Sequence, residues 1–132
     1  MDGFVEIRIK NAKFWSDNLR KYSTHFQVLE EKSGTKSAWY GFPIIVNPKA
    51  SFSRKDLTDF LESKGLQTRP ILSGNMSEQP VMKYYEHKKI GNLPNVNAIH
   101  CDAFFIGNHQ GIGKREREAV VDYFDEFMSE VK

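Results

Sequence analysis

A single cysteine, Cys101, in 132 residues leaves no partner for an internal disulfide, so this chain is not a cross-linked secreted scaffold. A lone thiol fits a reducing compartment, and it is expected to be a small buried apolar side chain. No apolar run approaches the roughly 18 residues that a membrane helix needs. The opening stretch MDGFVEIRIKNAKFW interleaves charges with its apolar positions, which is not the pattern of a secretory signal. The cytoplasm is the expected setting. Neither sign of charge dominates: 19 basic and 17 acidic residues sum to +2, which gives no basic face for nucleic acid or a membrane surface. There is no internal repeat, low-complexity tract or interdomain linker. Hydrophobic residues at 39% and aromatics at 13% instead predict one folded domain over 1–132.

Val5, Ala12, Trp15, Leu19 and Tyr22 recur at helical spacing, with Lys10, Lys13, Asp17 and Lys21 turned outward. FQVLEEK (Phe26–Lys32) and SAWYGFPIIVN (Ser37–Asn47) are rich in β-branched and aromatic residues around a turn-like SGTKS, and predict an antiparallel hairpin. Pro43 has no N–H to give a ladder, so it belongs at an edge or a bulge. Ser53 followed by Asp56 predicts a capped helix start, Leu57, Phe60 and Leu61 its buried stripe, and Gly65 its left-handed stop. LQTRPI reads as a short strand, VMKYYEHKKIG as a helical turn or two ending near Gly91, and LPNVNAIHC as a short helix. DAFFIGN reads as a buried strand, and GKREREAVVDYFDEFMSEVK as a terminal helix with Val120, Phe124, Phe127 and Val131 inward. The sum is an α+β domain: a small, mostly antiparallel sheet with helices packed on one face.

Few groupings suggest chemistry. GNHQGIGK has five residues between Gly107 and Gly113, and Arg115 follows Lys114, so it matches neither a phosphate loop nor a dinucleotide fingerprint. His100, Cys101 and Asp102 are adjacent; in a strand they would alternate between faces and could not converge on one metal, so no metal is expected. His25 and His87 are expected to be exposed. Lys83, Tyr84, Tyr85, Lys88 and Lys89 read as a solvated helix face rather than a nucleic-acid surface, since Glu86 interrupts them. No nucleophile–base pair or carboxylate dyad appears, so no catalytic residue is assigned. RPILSGNMSEQP is the stretch that invites a ligand. Arg69 offers a planar fork for carboxylate or phosphate, and Ser73, Gly74 and Asn75 offer a hydroxyl, a close-approach backbone and an amide. The same residues also describe an arginine paired to a local carboxylate beside an ordinary turn.

The ordered set of segments resembles the C-terminal part of the DegT/DnrJ/StrS family of vitamin B6-dependent nucleotide-sugar enzymes. RIKNAKFWSDNL (Arg8–Leu19) resembles the family's R-x-x-N helix, and WYGFPIIV (Trp39–Val46) its W-x-G-F-P strand. Phe52–Tyr85 resembles the next helix, the T-R strand and a G-N-x-x-x-x-P loop, and Leu93–His109 an L-x-N-x-x-x-I helix and its strand. The resemblance implies an aspartate-aminotransferase-like small domain, the C-terminal piece of a longer enzyme. Its large domain would carry pyridoxal or pyridoxamine phosphate and the residue that marks the chemistry, lysine in the aminotransferases and histidine in the sugar 3-dehydratases. No cofactor is then expected on this chain alone. The S-G-N loop resembles the dehydratase branch, which removes the 3-hydroxyl of a 4-keto-6-deoxy-sugar nucleotide in deoxysugar and lipopolysaccharide biosynthesis. The alternatives are the corresponding domain of a nucleotide-sugar aminotransferase and a free-standing binding module. On this resemblance Arg69 would meet an anionic part of the nucleotide sugar, Ser73, Gly74 and Asn75 would line the mouth, and Asn108 and His109 are a second choice. The large cofactor domain, and in a homodimer a second copy, would be the protein partners. An apolar patch is expected where the large domain packs, at Phe14 and Trp15 of the first helix.

Overall fold

The computed structural model describes residues 2–131. Helix α1 (Asp2–Leu19) runs into a 3-10 turn (Arg20–Tyr22), followed by β1 (Phe26–Val28), β2 (Gly41–Val46), α2 (Arg54–Ser63) and β3 (Thr68–Pro70). Two 3-10 turns (Met76–Glu78, Pro80–Tyr84) lead to α3 (Pro94–Asp102), β4 (Ala103–Gly107) and α4 (Lys114–Glu130). The strands form one sheet in the order β1-β2-β4-β3, antiparallel at every pairing.

Alternation along β2 sends Phe42, Ile44 and Val46 to one face, where they are buried, and Gly41, Pro43 and Ile45 to the other, where they are half-buried. On the first face lie α1, α2 and α4, and the core is there: Trp15, Leu19, Phe26, Leu57, Leu61, Phe104, Ile106 and Phe124 are all essentially without solvent contact. Burying a side chain of this size contributes about 1.5–3 kcal/mol each. Trp15 meets Phe42 edge-on with centroids 5.3 Å apart, and its indole N–H donates to the Arg117 carbonyl at 3.1 Å. Phe127 sits between Phe52 (4.9 Å) and Phe60 (5.3 Å). Helix α3 alone approaches from the opposite side, setting Ile99 beside Ile45, Ala103 and Phe105.

Local chemistry sets the ends of α2. The Asp56 N–H donates to Ser53 Oγ (3.2 Å) while the Ser53 N–H donates to Asp56 Oδ2 (2.8 Å), a reciprocal cap. At the far end Gly65 takes φ +84°, and the Leu66 and Gly65 amides reach back to Leu61 O (3.0 Å) and Glu62 O (2.9 Å). This is the paired closure that a left-handed residue permits.

Several sequence expectations change. The hairpin strands are shorter than their apolar runs: residues from Leu29 to Tyr40 form a connection, exposed except at Trp39, rather than extending the ladder. Pro43 lies in an inner strand, opposite Phe105, yet β1 pairing stops at Ile44, so β2 is paired on one side only at the proline. The expected LPNVNAIHC helix is present as α3 and runs one residue further, to Asp102, so His100, Cys101 and Asp102 share its last turn; Cys101 is exposed, because that turn points it away from the sheet. His25 is half-buried, its ring stacked 6.1 Å from Phe52. The helical turn after Pro80 ends at Tyr84, well short of Gly91. Trp15 is fully buried and Phe14 is partly buried with the Arg117 guanidinium over its ring, so those two residues are not the exposed patch.

Candidate functional site

The apolar surface lies on the face of the sheet that α1, α2 and α4 leave open. Gly41, Pro43 and Ile45 of β2 with Ala103 and Phe105 of β4 make the floor of a groove of about 380 Å³. Leu29, Tyr40, Ile71, Leu72 and Ile99 stand around it. Leu72 is 89% exposed and Tyr40 76%, an unusual display for large apolar groups at one place. Leu72 also holds φ +38°, a left-handed conformation that a branched side chain adopts only under constraint.

Close packing of β2 on β4 explains the glycine of GFPIIV. A Cβ on Gly41 would overlap Phe105 Cδ2 and stand 3.0 Å from Cε2 and 3.1 Å from Cγ, so the Phe105 ring occupies the space an alanine methyl would need. The ring thus lies across the groove floor, 6.5 Å between centroids from Tyr40.

Register places Arg69 on this same face. Directly opposed residues of an antiparallel pair share a face, and the row Pro43, Phe105, Arg69 crosses β2, β4 and β3. Its neighbour Thr68 points the other way and donates to Glu62 of α2 at 2.5 Å. Arg69 is exposed, and its guanidinium has no hydrogen-bond or ion-pair partner among the described residues. A free planar cation therefore borders an apolar floor.

The Ser73–Asn75 loop is held differently from its sequence expectation. Ser73 is exposed and its carbonyl accepts from Gln79 Nε2 at 2.7 Å. Gly74, at φ +56°, is pressed against His100: a Cβ there would overlap Nδ1 and come within 3.1 Å of His100 Cα. Asn75 is buried, and both polar atoms of its amide are hydrogen-bonded. Nδ2 donates to Asn97 Oδ1 (2.6 Å), and Oδ1 accepts from the Ser77 N–H (3.0 Å) and Ser77 hydroxyl (2.8 Å). Asn75 thus anchors the loop to α3, with both its side-chain oxygen and its side-chain nitrogen already hydrogen-bonded.

Asn108 and His109 lie beyond the other end of β4, away from this loop. Asn108 is buried. Its Oδ1 accepts from Asn11 Nδ2 (3.2 Å) and its Nδ2 donates to the Arg8 carbonyl (3.0 Å), while Arg117 Nη1 donates to Asn11 Oδ1 (3.2 Å). That network ties α1 and α4 to the sheet and accounts for the asparagine of the Arg-x-x-Asn pattern of α1. His109 is exposed, and its Nδ1 accepts from the Gly111 N–H (3.1 Å). The two sets of candidate residues are therefore not brought together. Sequence reading missed Tyr40, Pro43, Leu72, Ile99, His100 and Phe105; the signal was there in GFPIIV, which is apolar on both faces of a strand.

No cluster of metal-ligating side chains occurs among the described residues, and no helix there is long and apolar enough to cross a membrane.

Comparison with known proteins covers nearly the whole chain. A GDP-4-keto-6-deoxy-D-mannose 3-dehydratase of Escherichia coli O55:H7 is 32% identical over 108 residues, 81% of this chain and 27% of that protein. The lipopolysaccharide biosynthesis protein RfbH of Salmonella typhimurium is 28% identical over 97% of this chain and 29% of its own length. A crystal structure of GDP-4-keto-6-deoxymannose-3-dehydratase with a trapped PLP-glutamate geminal diamine superposes with a TM-score of 0.80 at 29% identity, over 100% of this chain and 32% of that one. The chain thus spans under a third of the length of these relatives. With residues 1–125 matching the model of the DegT/DnrJ/EryC1/StrS aminotransferase family, the chain belongs to that family.

Proposed function

We propose that this domain is the substrate-facing small domain of a B6-dependent nucleotide-sugar 3-dehydratase, acting with a large cofactor domain of the family type. The observation that carries the reading is the free Arg69 at the rim of an apolar sheet face that α1, α2 and α4 leave open and α3 covers only in part. A nucleotide sugar has an anionic diphosphate and flat apolar surfaces, and this pairing of a guanidinium with Phe105 and Pro43 suits both. The names of the relatives support the dehydratase branch over the aminotransferase branch. The open sheet face, rather than α1, is where the large domain would close.

The residues of this domain do not fit the cofactor. All of its described lysines are exposed, and the groove is lined by apolar side chains with no cluster of donors for a phosphate or a ring nitrogen. Pyridoxamine phosphate would supply the carbon-acid chemistry from the large domain. This chain's own part is to bind and orient the nucleotide sugar through Arg69, to offer the Ser73 hydroxyl at the rim, and to exclude water with the Tyr40, Leu72 and Phe105 surface. A cytoplasmic setting belongs to the same reading.

The test is shift mapping by NMR with GDP-mannose as a stable nucleotide-sugar probe, together with pyridoxal phosphate added alone. The expected result is perturbation at Arg69, Ser73 and Phe105, lost in Arg69→Ala, and no reducible aldimine on the chain. A stoichiometric aldimine at one lysine, or perturbations confined to another surface, overturns the proposal.

A further inference from the structure

We infer that His100 is a positioning residue: its imidazole, in the form with Nδ1 unprotonated, latches the Ser73–Gln79 loop to α3, and taking up a proton at Nδ1 releases it. The Asn75 backbone N–H donates to His100 Nδ1 at 3.2 Å. An amide N–H can only donate, so Nδ1 must carry a lone pair and any ring proton must sit on Nε2. An imidazolium has no acceptor, and the same contact then sets two N–H groups against each other.

Three features make this contact a latch. Gly74 lets the loop backbone come against the imidazole, where any Cβ would collide with Nδ1. Asn75, next in sequence, is buried and spends its side chain on Asn97 of the same helix, so the backbone and side chain of one residue are both pinned to α3. His100 itself cannot retreat freely, because Arg54 of α2 donates from Nη1 to His100 O (3.0 Å) and Ala103 O (3.2 Å), fixing the end of α3.

The charged groups around the imidazole are few. From the loop, Glu78 lies close enough to feel the charge on His100 and is itself bound by Lys89 at 2.9 Å, which holds its carboxyl below the usual range. From α2 comes the Arg54 guanidinium, committed to carbonyls, and on α3 itself Asp102 follows two residues later. Glu78 is occupied by its lysine, so no free carboxylate on the loop replaces the lost acceptor when His100 becomes charged.

The functional consequence, that His100 sets how Ser73 is presented at the groove rim, rests on the reading of this loop as substrate-facing; the latch itself does not. Hydrogen exchange on the whole chain tests it without substrate. The Asn75 amide protection factor, normalised to the unfolded chain, should fall about tenfold between pH 8 and pH 5, the loss of one hydrogen bond. His100→Asn keeps an acceptor two bonds from Cβ but cannot titrate, so its protection should stay near the wild-type high-pH value throughout. His100→Ala should give the low value at both pH extremes, with β4 and α4 amides unchanged. A wild-type protection factor that does not move with pH, or an alanine variant protected like wild type, overturns the latch. If the latch behaves as stated and GDP-mannose still perturbs nothing at Arg69 and Ser73, the substrate reading fails alone.

Discussion

Replacing Gly41 by alanine isolates one packing constraint at the groove floor. Gly41 is not in the left-handed region, so the backbone itself accepts alanine, and inside a strand the exchange would by itself stabilise by roughly 0.5 kcal/mol. The methyl, however, enters space held by the Phe105 ring. Turning the ring about Cβ–Cγ can move Cδ2 away, but Cγ stays 3.1 Å from the new Cβ, so the Phe105 side chain must also yield by a few tenths of an ångström. Overpacking of this kind costs about 1–3 kcal/mol. The net expectation is a loss of about 1–2 kcal/mol, which at a urea slope of roughly 2 kcal/mol/M lowers the unfolding midpoint by about 0.5–1 M. The decisive comparison is the same substitution in a Phe105→Ala background, where the space is free. There Gly41→Ala should become neutral or slightly stabilising, a coupling of about 2 kcal/mol between the two sites. If Gly41→Ala costs the same in both backgrounds, the ring is not what excludes a side chain at position 41, and this account of the W-x-G-F-P glycine is wrong.

Asn108→Ala should lower stability by about 1–3 kcal/mol in thermal or urea unfolding, because it leaves the buried Asn11 Nδ2 without its acceptor and removes a side-chain hydrogen bond to the Arg8 carbonyl. The Ser53 cap holds the Asp56 carboxyl below the ordinary aspartate range, so its contribution is full above about pH 4 and is lost as pH falls through the lowered folded value. Wild type and Asp56→Asn should therefore differ at neutral pH and converge in strong acid. At the other extreme, the hydrogen bond to Asp125 raises Lys21 and burial raises Tyr22, so their stabilisation is full below about pH 10 and fades as pH rises through the raised values. Asp125→Asn should flatten that alkaline loss. Cys101 should titrate as one rapidly reacting thiol per native chain with a disulfide reagent; slow reaction that needs denaturant would contradict its exposure.

Much of this domain was readable one element at a time, because the signals are local. The Ser53–Asp56 box and Gly65 delimit α2 through contacts within a few residues, and the spacing of Trp15 and Leu19 or of Val120, Phe124 and Phe127 marks the inward face of each long helix. Other features depended on partners far away in sequence. Asn108 could pass for a ligand contact until Asn11, 97 residues away, was found to take its oxygen. Asn75 looked available until Asn97 claimed it, and Cys101 looked buried until α3 turned it outward.

The sequence by itself determined the α+β class, the element order and, through resemblance, the family, because hydrophobic period, capping and turn chemistry act over short stretches. Only the tertiary structure decided which apolar side chains remain uncovered and which polar ones are already spent. Those are properties of pairings: β2 against β4 puts Phe105 over Gly41 and in line with Arg69, and α3 against the Ser73–Asn75 loop sets His100 under Gly74. Hydrogen-bond capacity and burial belong to a residue's neighbours in space, and a one-dimensional pattern does not name them.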